Sequence, residues 1–191
     1  MSPVNVDVVF KVGGGLLKER GDLDRVLAVI SDRARFQRVL IVPGGGPFAD
    51  AVRAVDEQVG LSDDAAHWLA IRAMDQYAHV IADRMPGCAL VLDLAEIEAA
   101  LGASRVPVLT PSRWLRDADP LPHSWDVTSD SISAWVAGVV NARRLVLIKP
   151  SGAAGVDLVD PYFQRALLPD VSFDVVAADR LDALASLLGA G

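Results

Sequence analysis

The sequence of 191 residues lacks the features that mark several large protein classes. A single cysteine, Cys88, excludes an internal disulfide framework and any zinc site built from several cysteines. Basic residues are in the minority, since 18 lysines and arginines stand against 25 aspartates and glutamates, for a formal net charge of −7. This balance argues against a nucleic-acid partner, because phosphate backbones are bound by positively charged surfaces.

Long apolar runs are also missing. The most apolar late stretch, residues 132–148, is interrupted by Asn141, Arg143 and Arg144, so it is not expected to span a bilayer. The first residues show neither the basic nor the apolar region of a secretory signal. We therefore expect a cytoplasmic protein with no membrane partner. The three histidines show no metal-binding spacing, so no histidine-based metal site is expected.

The residues that are present favour an α/β fold. Hydrophobic residues make up 52% of the chain, enough for a substantial core in a single domain covering residues 1–191. Apolar runs without polar alternation are separated by helical patterns, which indicates a mostly parallel sheet covered on both faces. The predicted strands are 6–12, 38–43, 89–93, 106–109, 145–149 and 173–177; the predicted helices are 22–36, 47–59, 63–84, 129–141 and 180–188, and prolines between 107 and 122 indicate an irregular stretch.

Two of the predicted strands carry a lysine at their carboxyl end, Lys11 and Lys149. The carboxyl ends of parallel strands meet at one edge of the sheet, where α/β proteins bind ligands. A lysine at a strand end can simply extend its ammonium group into solvent. Two ammonium groups on one edge, however, would repel each other unless an anion lay between them, and a polyphosphate fits that requirement.

A run of three glycines follows each of the first two strands, Gly13-Gly14-Gly15 and Gly44-Gly45-Gly46. Glycine lets backbone N–H groups approach phosphate oxygens, and the helix after each loop directs its positive end at the same region. Neither run is a P-loop, because no Lys-Ser or Lys-Thr pair follows. The second run formally fits the dinucleotide pattern, with Asp63 or Asp64 as ribose contact, so an NAD-dependent oxidoreductase is an alternative that leaves both lysines unexplained.

An acidic residue at a predicted helix start, Asp130, completes the candidate site. Its carboxylate can cap the helix and complement its dipole. It can also bridge the two lysine ammonium groups and fix their direction, and Asp126 is a second candidate for that task or for substrate contact.

Four segments of the sequence, taken in chain order, resemble the motifs of the amino acid kinase family: Lys11-Val-Gly13-Gly14, Pro43-Gly44-Gly45-Gly46, Ser129-Asp130 and Lys149. The resemblance covers about the first four-fifths of the chain. It implies a three-layer αβα sandwich, ATP as phosphoryl donor, and Mg²⁺ held mainly by the phosphates rather than by protein ligands.

Three segments resemble a smaller branch of this family, the methanofuran-biosynthesis kinases that convert an aminomethylfuran-methyl phosphate to the diphosphate. They are residues 8–15, residues 67–75 and residues 125–131. For an acceptor that carries an amino group, Asp75 or Asp126 would meet the cation, and Trp125 or Trp68 would offer a ring face. His67 and Arg72 would reach an acceptor phosphate, or would lie on a solvated face.

The resemblance also implies a division of the chain, with residues 1–125 mainly on the acceptor and phosphate side and residues 126–191 mainly on the nucleotide side. Lys11, Asp130 and Lys149 would be catalytic. Nucleotide contacts would come from Lys11, Gly13, Gly14, Gly15, Lys149, Ser151, Gly152, Gly155, Val156 and Asp157; acceptor contacts would come from Gly44, Gly45, Gly46, Arg72, Asp75, Trp125, Asp126 and Ser129.

Other interpretations remain open at this point. The chain would alternatively be another small-molecule kinase of the family, acting on uridylate, carbamate or an acylamino acid, or a nucleotide- or anion-binding protein of the same fold without turnover. A wide apolar stripe on the helix from Asp63 to Arg84, including Trp68, Ile71 and Ile81, predicts a homodimer or larger homo-oligomer.

Overall fold

The computed structural model describes residues 4–153 and 158–182 and contains a six-stranded, all-parallel sheet. The strands are β1 (Val8–Val12), β2 (Val39–Pro43), β3 (Cys88–Val91), β4 (Val106–Leu109), β5 (Arg144–Lys149) and β6 (Ser172–Ala177), in the spatial order β3-β4-β2-β1-β5-β6. The helices are α1 (Asp22–Arg33), α2 (Gly46–Val59), α3 (Asp63–Arg84), α4 (Leu94–Gly102), α5 (Ser112–Ala118), α6 (Ser129–Val139) and α7 (Phe163–Ala166), and a short 3₁₀ helix spans Gly14–Leu17.

Helices cover both faces of the sheet, and each face has its own hydrophobic core. Successive residues of β1 point to opposite faces, so Val9 belongs to the core that also contains residues of α4, α5 and α6, while Val8 and Phe10 belong to the core that contains residues of α1. The three-layer αβα architecture expected from the sequence is confirmed.

The long helix α3 contributes to both cores, which explains its wide apolar stripe. Its first half, with Trp68 and Ile71, packs in one core, and its second half, with Tyr77 and Ile81, packs in the other. These side chains are buried within the chain itself, so the stripe that predicted a homo-oligomer is accounted for without a partner.

The structure also contains three helices that the sequence patterns did not predict, α4, α5 and α7. The residues between 107 and 122, expected to be irregular, include α5, whose N-cap is Pro111; proline is compatible with a helix start. Helix α4 is capped by Asp93, which accepts from the Glu96 N–H, while the Glu96 carboxylate accepts from the Leu92 N–H. Helix α1 ends at Arg33 rather than at residue 36, and most of the predicted helix 180–188 lies outside the described residues.

The order of the central strands places the candidate residues at one edge of the sheet. Strand β1 lies between β2 and β5, with Val12 in register with Pro43 and Ile148. Lys11, Lys149 and both glycine runs therefore meet at the carboxyl ends of three adjacent strands. Among the helices of residues 4–153 and 158–182, none combines the length and apolar character needed to cross a bilayer.

Candidate active site

Two lysines share one carboxylate at the carboxyl edge of the sheet. The Nζ atom of Lys11 lies 2.9 Å from Oδ1 of Asp130, and the Nζ atom of Lys149 lies 2.7 Å from Oδ2 of the same residue. Lys11 is 5% exposed and Asp130 is 4% exposed, so these ion pairs are largely removed from water. The structure thus brings together the three charged residues that the sequence analysis selected as catalytic candidates.

The three charges influence one another strongly because water does not screen them. Burial acts to raise the pKa of Asp130, but the ammonium groups of Lys11 and Lys149 outweigh it and hold that pKa below its usual value. Burial, followed by repulsion from Lys11, lowers the pKa of Lys149, and attraction to Asp130 only partly compensates. With all three groups ionised the cluster has one excess positive charge, which favours binding of an anion.

The start of α6 holds Asp130 in place, and a second carboxylate holds the start of α6. Asp160 accepts hydrogen bonds from the Thr128 N–H at 2.9 Å, the Thr128 hydroxyl at 2.7 Å, the Ser131 N–H at 3.0 Å and the Ser131 hydroxyl. Thr128 and Ser131 flank Asp130 in sequence. Asp160 therefore fixes the first turn of α6. In the sequence Asp160 is only part of an Asp-Pro pair in a predicted loop, which does not indicate this role.

The two glycine runs pack backbone against backbone beside the lysines. A Cβ atom built on Gly14 would lie well inside 3.0 Å of the Gly46 backbone, and one built on Gly44 would lie 2.8 Å from the Gly14 nitrogen. Gly46 itself has a φ of +55°, which favours glycine. The close approach of the two loops thus requires glycine.

Not all of the predicted glycine donors are free to bind a ligand. The Gly13 N–H donates to the Ile148 carbonyl at 3.0 Å, and the Gly44 N–H donates to the Val12 carbonyl at 2.8 Å, so both continue the sheet. Gly14, Gly15, Gly45 and Gly46 instead line a cavity next to Asp130. These four are the better placed to contact phosphate oxygens.

That cavity has a volume of about 210 Å³ and lies between α2, α3 and the start of α6. One stripe of α2 and one stripe of α3 form its walls, Trp125 and Ser124 lie at its rim, and Ser129 adjoins the lysine cluster. The stripes consist of Gly46, Ala49, Asp50 and Arg53 on α2, and of Asp63, Ala66, His67, Ala70, Ile71 and Met74 on α3.

The charged groups of the cavity walls are mixed in sign. Asp50 lies 3.3 Å from the Arg53 guanidinium and 4.0 Å from the Lys18 ammonium, so its charge is offset. Asp63, in the first turn of α3, brings a further carboxylate to the opposite wall. The cavity therefore offers cationic and anionic groups together, unlike a uniformly basic pocket.

The segment between α5 and α6 is fastened to the α2–α3 hairpin at two points. The Trp125 indole N–H donates to Asp56 at 2.8 Å, and the Arg53 guanidinium lies 4.7 Å from the centre of the indole ring. His123 lies between the carboxylates of Asp64 and Asp119, each at 2.9 Å. These contacts hold Trp125 at the rim of the cavity.

His67 reaches the cavity from α3 as an uncharged group. Its ring stacks on His123 with centroids 4.1 Å apart. Burial, and then repulsion from His123, lowers the pKa of His67 to about 4. At neutral pH His67 therefore offers hydrogen bonds without a charge.

Four of the predicted acceptor residues do not line the cavity: Gly44, whose N–H continues the sheet, and Arg72, Asp75 and Asp126. Arg72 is exposed on another side of α3, Asp75 accepts from the Ser112 N–H at 3.1 Å, and the exposed Asp126 accepts from the Tyr162 N–H through its carbonyl. Asp50 and Arg53 are not among the predicted site residues, yet both line the cavity. Their spacing from Gly46 along α2 is the signal that places them on the cavity side.

The segment after β5, predicted to bind nucleotide, starts against the first residue of α1 and does not line the cavity. The backbone N–H and hydroxyl of Ser151 both donate to Asp22 at 3.0 Å, and the Gly152 N–H donates to Asp179 at 3.2 Å. The predicted nucleotide contacts Gly155, Val156 and Asp157 lie outside the described residues.

Comparison with known proteins gives consistent matches. The model of the amino acid kinase family matches residues 8–177. The [5-(aminomethyl)furan-3-yl]methyl phosphate kinase of Methanocaldococcus jannaschii is 30% identical over 140 residues, which are 73% of this chain and 63% of that protein. The chain thus spans less than two thirds of the length of this relative.

Solved structures match the fold. UMP kinase from Ureaplasma parvum superposes with a TM-score of 0.72 at 14% identity, over 94% of this chain and 95% of that one. Uridylate kinase from Archaeoglobus fulgidus superposes with a TM-score of 0.59 at 21% identity, over 75% of this chain and 62% of that one.

Proposed function

This chain belongs to the amino acid kinase family, and we propose that it transfers the γ-phosphoryl group of ATP to a small acceptor that carries a phosphate. The observation that carries the proposal is the pair of buried lysines on one carboxylate, next to a cavity lined by glycine backbone. The excess positive charge lies where two polyanions would have to approach each other. In phosphoryl transfer, positioning and charge stabilisation supply most of the rate enhancement.

The geometry of the cluster supports a distinct role for each of its residues. Lys11, the penultimate residue of β1, lies beside the glycine runs and would neutralise the transferring phosphoryl group. Lys149 ends β5, ahead of Ser151, and would hold the donor phosphates near the leaving group. Asp130 would keep both ammonium groups directed at the reaction centre, while Gly14, Gly15, Gly45 and Gly46 would donate N–H groups to phosphate oxygens.

The state of Asp130 favours an acceptor whose attacking oxygen is already anionic. Both of its oxygens are held by lysines and its pKa is lowered, so it is a poor general base. A phosphate monoester needs no base, because its oxygen attacks the γ-phosphorus without losing a proton. The new O–P bond forms as the bond to the β-phosphate oxygen breaks, and the products are a diphosphate and ADP.

Mg²⁺, which kinases of this kind use, would be bound mainly by the phosphates. Asp130 gives both oxygens to lysines, and Asp160 accepts four hydrogen bonds at the start of α6. Neither carboxylate is therefore open to a metal ion in this arrangement. When bound, Mg²⁺ would neutralise phosphate charge.

For the acceptor we propose [5-(aminomethyl)furan-3-yl]methyl phosphate, the compound in the name of the relative from Methanocaldococcus jannaschii. The phosphate would lie at the glycine end of the cavity. The ring would lie against the apolar side chains of Ile71, Met74 and Val127, and Asp50 or Asp63 would meet the ammonium group. The cavity volume of about 210 Å³ lies below the roughly 300–1,000 Å³ of pockets for drug-sized ligands, which favours a small acceptor over a nucleotide.

Coupled ADP release tests the reaction with this acceptor, its analogue without the amino group, and UMP. We expect turnover with the furan phosphate and a higher KM for the deaminated analogue. Lys11→Met should lower kcat by roughly 10²–10³-fold, as loss of one transition-state donor typically does. Arg35→Met, which removes a positive charge at the opposite edge of the sheet, should leave kcat unchanged.

Two results would refute the proposal. The first is a near-normal rate for Lys11→Met, since it would show that the lysine cluster is not the reaction centre. The second is a failure to release ADP with the furan phosphate. In that case turnover with UMP instead would assign the chain to a nucleotide acceptor.

A further inference from the structure

Asp22 is a buried carboxylate for which phosphoryl transfer itself provides no role. It is 1% exposed at the first position of α1. Its carboxylate accepts from the Ser151 N–H and the Ser151 hydroxyl, each at 3.0 Å, and pairs with the Arg25 guanidinium. The contact joins residues 129 positions apart in sequence, so it serves tertiary structure rather than the local capping of α1.

The position of this contact relates it to the reaction centre. Ser151 is two residues beyond Lys149, and Asp22 follows the 3₁₀ helix that contains Gly14 and Gly15. Pro150 packs against Gly15, because a Cβ atom on Gly15 would lie 3.0 Å from its ring. The glycine run after β1 and the segment after β5 are thereby held against each other next to the lysines.

We propose that Asp22 is a positioning residue for the nucleotide, fixing the start of the segment after β5 so that Lys149 and the Gly14–Gly15 backbone bind the same phosphate chain. The proposal rests on the function proposed above, in which ATP is the donor. Asp22 acts through Ser151 and touches neither substrate.

The charge of Asp22 and its proposed positioning role predict opposite effects of Asp22→Asn on ATP binding, so one measurement distinguishes them. A negative charge near a polyanion site repels the ligand, so simple electrostatics predicts that Asp22→Asn tightens ATP binding. If Asp22 positions the segment, the same change weakens binding, because an asparagine amide has a single acceptor oxygen and its NH2 group would face either the Ser151 N–H or the Arg25 guanidinium. Asp22 would then be retained for its hydrogen bonds in spite of its charge.

The experiment measures the Kd for ATP by isothermal titration calorimetry on the full chain. Asp22→Asn should raise that Kd roughly 10-fold or more, as loss of hydrogen bonds to a buried charged group does. Asp24→Asn removes the same charge from the same helix, but from an exposed pair with Arg84, and should leave the Kd unchanged. The acceptor KM should be the same in the unaltered chain, in Asp22→Asn and in Asp24→Asn. General unfolding would not leave this KM unchanged.

Ser151→Ala provides a second variant that removes one of the two hydrogen bonds without changing a charge. It should raise the Kd for ATP by roughly 3-fold or more. Unchanged or tighter ATP binding in Asp22→Asn would overturn the proposal, and if that protein does not fold, an unchanged Kd in Ser151→Ala would do so. Failure of the unaltered chain to bind ATP would instead refute the proposed function itself.

Discussion

The packing of the two glycine runs makes Gly14→Ala a test of the site that leaves every charge in place. A Cβ atom on Gly14 would overlap the Cα and nitrogen of Gly46, and these are backbone atoms that cannot rotate away. The two loops would have to separate by on the order of 1 Å, and misplacement of that size costs reactions about 10²-fold in rate. We expect kcat to fall by about that factor.

The same change should destabilise the fold only moderately. Inserting a methyl group into a well-packed region costs about 1–3 kcal/mol. For a chain of this length, 1 kcal/mol corresponds to roughly 2–4 °C in Tm, so Tm should fall by about 2–12 °C. The protein should therefore remain folded at assay temperature while its rate is low.

The assay compares ADP release and thermal unfolding for Gly14→Ala with those for Gly102→Ala. Gly102 ends α4 and a Cβ atom there would meet no atom within 4 Å, so that variant should keep full activity and an equal or higher Tm. A Gly14→Ala enzyme with normal kcat would show that the loops separate without disturbing the phosphates. The glycine backbone would then have no part in positioning the phosphates.

Other residues give predictions of their own. Asp130→Asn should lower the free energy of unfolding by about 3–5 kcal/mol at pH 7, as loss of one partner of a buried ion pair does. The deficit should shrink towards pH 10, because Lys149, whose pKa burial already lowers, then loses its proton, and an equal deficit at all pH values in urea titrations would contradict this. Trp125→Phe removes the indole N–H that donates to Asp56 and should raise the acceptor KM roughly 3–10-fold with kcat kept, whereas an unchanged KM would show that the rim does not contact the acceptor. Because the pKa of His67 is lowered to about 4, the unfolded chain binds more protons than the folded chain between pH 6.5 and 4. The free energy of unfolding should therefore decrease as the pH is lowered from 6.5 to 4, and His67→Leu should flatten this pH dependence.

The fold and the lysine cluster could be predicted from the sequence because they depend on local patterns. Apolar runs fix where strands end, and the ends of parallel strands meet at one edge whatever the details of packing. Lys11 and Lys149 are the last or nearly the last residues of adjacent strands β1 and β5. The bridging role of Asp130 then needs only that α6 begins over the same edge.

The walls of the cavity could not be predicted in the same way, because they depend on how α3 is rotated. One residue along a helix turns the side chain by about 100°, so Ile71 is buried while Arg72 is exposed. In most helices one apolar face would settle the rotation, but α3 packs in two cores and also borders the cavity. Its sequence therefore favours no single face. Of the residues of α3 predicted to contact the acceptor, His67 lines the cavity but Arg72 and Asp75 do not, and Asp63 lines it without having been predicted for that role.

Asp22 presents a different difficulty, since in the sequence it looks like an ordinary acidic residue at a helix start. Its partner, Ser151, is brought to it only when β5 lies beside β1. Local reasoning assigns such a residue to the helix dipole. Only the tertiary structure assigns it to the segment after β5.

Three carboxylates near a site for polyanions would be a disadvantage if their charges were free. Each is instead engaged by donors: Asp130 by two ammonium groups, Asp160 by the start of α6, and Asp22 by Ser151 and Arg25. Hydrogen bonds to a charged group are stronger than those between neutral groups, so a carboxylate fixes its partners more firmly than an amide would. The buried acids thus hold the loops and lysines in place, and since Asp130 offsets only one of the two ammonium charges, a net positive charge remains where the phosphates would meet.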